Sequence, residues 1–177
     1  DGSNDNAFGF KGTQTATGDQ RAIGVELNNP FATVVFTEFN VLVTGEQWHQ
    51  GVSDSPTTLR FQYSIDASSV VDATATWIAN PDLDITLPHV SGAGPVGNAL
   101  NGNSGANRVS VSDLFSATVG PGDTLFFRYV HIEDGSDHGG GIENMIITTT
   151  AVFLPEPHTA ATAVIGAGCL FRRRRRR

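Results

Sequence analysis

The sequence has a single cysteine, Cys169, placed close to its C-terminal arginines. The rest of the chain can therefore hold no disulfide and no thiolate metal site. Positive charge is also scarce. Ahead of the terminal arginine run there are only Lys11, Arg21, Arg60, Arg108 and Arg128, against 18 acidic residues, a net charge of −13. Such a surface repels phosphate and argues against nucleic acid as a partner. The chain opens "DGSNDNAFGF", without a basic n-region or an apolar h-region. A start lost to truncation or processing is the expectation, so a missing leader does not assign the protein to the cytoplasm. Neither H-E-x-x-H nor G-x-S-x-G occurs, and no histidine pair among His49, His89, His131, His138 and His158 has metal-ligand spacing.

What the sequence does have is alternation. "LRFQYSID" puts Leu59, Phe61, Tyr63 and Ile65 on one face and Arg60, Gln62, Ser64 and Asp66 on the other. "TLFFRYVHI" is apolar on both faces, as expected of a strand covered on both sides. "NMIITTTAVFL" is rich in β-branched residues and reads as another long strand. "FATVVFTEFNVLVTGEQW" reads as two strands or one long bent one, and "RAIGVEL", "LDITL" and "RVSVS" as shorter ones. Turn-forming runs such as "SDSP", "ANPD", "NGNSG" and "GPGD" separate them. The pattern predicts an all-β fold, an antiparallel β-sandwich of jelly-roll type over residues 1–153, followed by a short C-terminal hydrophobic helix and arginine tail over 154–177.

Local motifs are few. "GAGPVG" (Gly92 to Gly97) matches G-x-G-x-x-G, but Pro95 and "NALNGNSGAN" follow where a helix would be needed, so it reads as a loop. "HIEDGSDHGGGIEN" crowds Glu133, Asp134 and Asp137 on a glycine-rich turn, with Glu143 and Asn144 just beyond. Hard oxygen ligands on a flexible loop are what Ca²⁺ takes; a solvated acidic hairpin is the plainer reading. Trp48 and Trp77 could stack on sugars if exposed, and Trp48 is the candidate ligand contact; core packing is the first expectation for both.

The tail reads "PEPHTAATAVIGAGCLFRRRRRR". As a helix, residues 158–171 would span about 21 Å, short of the roughly 30 Å of a bilayer core. Arg172, Arg173, Arg174, Arg175, Arg176 and Arg177 would hold it on the cytoplasmic side of the inner membrane as a stop, leaving the body outside. Pro155 and Pro157 keep the Pro155–Glu156–Pro157 tripeptide extended and out of ladder hydrogen bonding, as a protease requires of a substrate. Motif, apolar run and basic cluster in that order follow the logic of a sorting signal removed after use.

That order resembles the PEP-CTERM sorting signal of Gram-negative bacteria. The resemblance implies recognition of Pro155, Glu156 and Pro157 by exosortase, a membrane-embedded cysteine transpeptidase-like enzyme. It also implies export as a membrane-anchored precursor, then residence at the cell surface or in the extracellular matrix. The body is similar to one group of PEP-CTERM proteins through "RAIG", "TGEQWHQG", "LRFQYSID", "NGNSGANR" and "GPGDTLFFRYVHIEDGSDHGGGIEN". Of that group's closing motif the chain keeps Arg128, Asp137, His138, Gly139 and Ile142. It has Tyr129 for a tryptophan, Gly140–Gly141 for Leu-Ala and Glu143–Asn144 for an aspartate pair. The resemblance implies a secreted β-sandwich and supplies no reaction.

Three functions remain open at this point. The first is a non-catalytic exported module acting in the matrix or at the surface. The second is a carbohydrate-binding or lectin-like module on extracellular polysaccharide, with or without Ca²⁺. The third is a secreted hydrolase using two of the scattered carboxylates.

Overall fold

The computed structural model describes residues 8–10, 17–51, 56–89, 97–134 and 138–155. Among these residues nine strands follow one another: β1 (Phe8–Phe10), β2 (Thr17–Asn28), β3 (Val34–His49), β4 (Thr58–Ser64), β5 (Ile78–Ala79), β6 (Ile85–Thr86), β7 (Arg108–Val119), β8 (Thr124–Asp134) and β9 (Gly139–Phe153). They form two antiparallel sheets. One has the order β1-β9-β3-β7; the other has the order β2-β8-β4-β5, with β6 pairing β4 from outside that path. Successive strands alternate between the sheets from β1 to β4 and again from β7 to β9. This is the nested Greek-key order of a jelly roll, as the sequence predicts.

The long apolar segment that allowed two readings is one strand, β3, of 16 residues. Register shifts on its flanks let it bend without breaking. "RVSVS" is only the first part of the longer β7, whereas "LDITL" contributes the two residues of β6 behind a short 3-10 turn.

Between the sheets lie Phe39, Val41 and Val43 from β3, Leu59 and Phe61 from β4, Leu125, Phe127 and Tyr129 from β8, and Leu83, Ile85 and Leu87. An aromatic stack runs through them: Phe61 meets Phe115, Phe127 and Tyr129 at centroid distances of 6.0, 6.0 and 5.4 Å. Offset and edge contacts of this kind add about 0.5–1.5 kcal/mol each beyond area burial. At one end the buried Asn29 binds the layers together. Its amide nitrogen lies 2.8, 3.0 and 3.0 Å from the carbonyl oxygens of Val34, Val119 and Gly120, and its side-chain oxygen accepts from the Phe31 N–H.

The two outer faces differ. On the β2-β8-β4-β5 sheet, residues 65–77 fold back over the strands. Arg128 of β8 donates to Gln62 Oε1 and to the Val70 carbonyl, and its guanidinium lies 3.6 Å from the centre of the Trp77 ring. Trp77 in turn donates to the Asp72 carbonyl at 2.8 Å. With this cover in place Phe126 and Val130, which point away from the inter-sheet core, are nevertheless buried. The outer face of the β1-β9-β3-β7 sheet keeps Leu42, Leu114 and Ile146 exposed.

Candidate ligand-binding face

Alternation along β3 settles which residues share the open face. Phe39, Val41 and Val43 point inward, so Asn40, Leu42, Thr44, Glu46 and Trp48 point outward. From β7, Leu114, Ser112, Ser110 and Arg108 lie opposite Asn40, Leu42, Thr44 and Glu46. From β9, Ile146 faces Leu42 and Glu143 faces Thr44.

Simple alternation along β9 would not put Glu143 and Ile146 on one face. A bulge does. Between Leu42 and Thr44 the β9 partner moves from Ile146 to Glu143, so Val43 stands against two residues, Asn144 and Met145. Asn144 takes φ 50°, a left-handed conformation that asparagine tolerates better than most residues. The phase of the strand therefore flips. Ile142 packs into the core before the bulge, and Met145 and Ile147 pack into it after the bulge.

Glu143 thereby joins Glu46 around one guanidinium. Arg108 Nε lies 3.2 Å from Glu46 Oε1, and Arg108 Nη2 donates to Glu143 Oε2. The Glu46 and Glu143 side chains are 1% and 7% exposed, that of Arg108 29%. Two nearly buried carboxylates thus share one half-buried cation. Trp48 Nε1 donates to the other oxygen of Glu46 at 3.2 Å. The indole lies over Gly102, where a Cβ would come within 2.3 Å of Cε2. Further along the face the Thr44 and Ser110 hydroxyls are 2.8 Å apart, and Thr150 donates to Glu38 at 3.0 Å. From Trp48 to Leu42 is six residues of strand, about 20 Å.

Neither tryptophan belongs to the inter-sheet core that was the first expectation for it. Both are half-buried and lie on outer faces, Trp48 beside Glu46 and Trp77 under the Arg128 guanidinium. The acidic turn is divided. Glu133 and Asp134 close β8, Asp137 lies outside the described residues, and Glu143 is held by Arg108 within the sheet. Among the described residues no three His, Cys, Asp or Glu side chains are grouped as a metal site. His138 is buried instead as a structural group: its Nδ1 accepts from the Gly51 N–H at 3.0 Å, and its own N–H donates to Thr57 Oγ1.

Gln47, on the inward side of β3, accepts from the His89 N–H at 2.8 Å and so ties that segment to the sheet. Pro155 is exposed and follows the last ladder residue, Phe153. Glu156, Pro157, the apolar segment 158–171 and Arg172 to Arg177 lie outside the described residues, as do residues 92–96 of the glycine-rich loop. Among the described residues no helix is long and apolar enough to cross a membrane.

A second feature is a cleft of about 300 Å³ between the sheet edges, lined by Phe8, Ile23, Val25, Tyr129, Ile142 and Met145 among others. Val25 of β2, which points toward the opposite sheet, is exposed there. Glu143 and Asn144 complete its lining.

Sequence reading names Trp48 and, beside the acidic turn, Glu143, but does not single out Glu46 or Arg108. The signal for Glu46 was present, because residues two apart on a strand share a face. No family model matches the chain, and no curated protein matches it. A solved structure described as "CBM4 structure and function" is similar at 14% identity, covering 73% of this chain and 84% of that chain, with a TM-score of 0.31. At that level the likeness carries no argument about ligand or activity.

Proposed function

We propose that this domain is a non-catalytic binding module that takes extended polysaccharide across the open face of the β1-β9-β3-β7 sheet. The observation that carries the reading is the asymmetry of the two outer faces. One is closed by residues 65–77. The other exposes Leu42, Leu114 and Ile146 among the hydroxyls of Thr44 and Ser110, with the edge of Trp48 at its end. A sugar chain presents the same mixture, apolar C–H patches between hydroxyls, which aromatic and aliphatic side chains set among hydroxyls can meet. Glu46 and Glu143 are both held by Arg108, which favours a role in binding over one in acid–base hydrolysis.

Native gels cast with soluble neutral glucans, mannans and xylans test this reading. Retardation of the full chain by at least one glycan, lost in Trp48→Ala and in Leu114→Asp with the fold intact by circular dichroism, is the expected result. Equal mobility in every gel removes it.

We also propose that residues 154–177 are an exosortase-processed sorting signal that delivers the module to the cell surface or matrix. The reading is supported by the tail's order of motifs and by Pro155 standing exposed beyond β9. Scrambling Pro155–Pro157 in a host with exosortase should abolish processing; unchanged processing and location would refute it.

A further inference from the structure

We infer that the open face discriminates by charge, accepting neutral polysaccharide and rejecting chains that carry carboxylate or sulfate groups. The inference rests on the polysaccharide reading and adds the substrate class.

Two carboxylates, Glu46 and Glu143, stand at the Trp48 end of this face around one cation, Arg108, and Glu38 lies farther along the same face. That cation is already committed. Its Nε faces Glu46 and its Nη2 donates to Glu143. The indole N–H of Trp48, the other strong donor at this end, is held by Glu46 as well. An incoming anion would therefore meet a guanidinium whose Nε and Nη2 already face carboxylates, and a local excess of negative charge. To take over the Nε and Nη2 contacts it would have to displace a buried carboxylate. A carboxylate left in an apolar setting without its partner is costly, so the exchange is unfavourable. Neutral hydroxyls need no such displacement, because Thr44, Ser110 and Ser112 offer rotatable O–H groups along the same face. The charge of the chain acts in the same direction at longer range, with 18 acidic residues against five basic ones before the arginine block.

The test uses the full chain with Arg172–Arg177 replaced by serine, so that the terminal arginines cannot capture an anionic polymer. A neutral glycan that retards the protein is compared with its carboxymethylated form, the backbone being the same. The carboxymethylated form is expected to bind at least about tenfold more weakly, as like-charge contact demands, and the gap should narrow as salt is raised. In Glu46→Gln/Glu143→Gln the guanidinium is released, and binding of the carboxymethylated glycan should rise about tenfold. Adding Arg108→Gln should cancel that rise.

Equal binding of the two forms at low salt would overturn the inference while leaving the polysaccharide reading in place. Failure of every neutral glycan to bind would instead remove the polysaccharide reading. Should the double variant not fold, the salt dependence of the serine-tailed chain decides alone, and a gap that does not change with salt counts against the inference.

Discussion

Gly102 lies flat against the indole of Trp48, close enough that a Cβ would stand 2.3 Å from Cε2 and 2.6 Å from Nε1. The glycine fixes how far the ring stands off the sheet and leaves its Nε1 aimed at Glu46. Gly102→Ala should push the ring outward and break that hydrogen bond. The expected readouts are a shift in tryptophan emission, a stability loss of about 1–3 kcal/mol from overpacking, and glycan binding weakened about tenfold. Unchanged emission and binding would mean that the ring is not positioned by Gly102.

The Arg108 cluster predicts an asymmetry between single and combined substitutions. Arg108→Met leaves two nearly buried carboxylates facing each other and should cost about 3–5 kcal/mol in urea unfolding. Glu46→Gln/Glu143→Gln/Arg108→Met removes all three charges and should recover more than half of that loss. Equal instability of the single and triple variants would mean that packing of the arginine stem, rather than its charge, holds the strands there.

Asn29 predicts a test of donors against volume. Asn29→Ala strands the carbonyls of Val34, Val119 and Gly120 and the Phe31 N–H, and should cost about 2–4 kcal/mol. Asn29→Asp keeps the shape yet places an acceptor against three carbonyl oxygens. It should destabilise more than alanine at neutral pH and recover in part where the carboxyl is protonated.

Acid should loosen the cover on the β2-β8-β4-β5 sheet. Hydrogen bonds from the Ser68 side chain and backbone, and then from Thr74, hold the Asp72 carboxyl well below the usual carboxylate range. Asp66 is held low in the same way by Ser64 and Thr76. Both groups give up their protons more readily in the folded chain than in the unfolded one. Their contribution is therefore complete above about pH 4, the ordinary range of a free aspartate, and falls away as pH drops below it. Trp77 donates to the Asp72 carbonyl and lies against Arg128, so its fluorescence should report the loosening before global unfolding. In Asp72→Asn the difference from the unsubstituted chain should shrink with acidification; a constant difference would argue against ionisation as the cause.

Much of the sandwich was legible because its strands obey period two. Leu59, Phe61 and Tyr63 in β4 and Leu125, Phe127 and Tyr129 in β8 announce their inward face. Phe126 and Val130 announce cover on the other side without saying what provides it. The covering residues 65–77 mix apolar side chains with short polar ones, and the side-chain hydrogen bonds of Ser64, Ser68 and Asp72 shape them into turns rather than a strand. Of the candidate site, the sequence singles out Trp48 and places Glu143 beside an acidic turn. Arg108 reaches Glu46 through strand pairing far apart in sequence. Glu143 reaches Arg108 because Asn144 reverses the phase of β9, whereas plain alternation would have grouped Glu143 with Met145 and Ile147 on the core side.

The direction of β9 has a consequence for presentation. The strand passes Glu143 near one end of the sandwich and reaches Phe153 at the other, ten residues or about 33 Å away, and the chain leaves the sheet there through Leu154 and Pro155. Were the precursor held through the segment after Pro155, as the proposed sorting signal would hold it, the Trp48 end would be the end of the open face farther from that hold. Polymer strands in the surrounding medium would then meet that end of the sheet before the Phe153 end. Neighbouring copies held in the same way could then grip one strand side by side, and each added grip would raise avidity without a new contact.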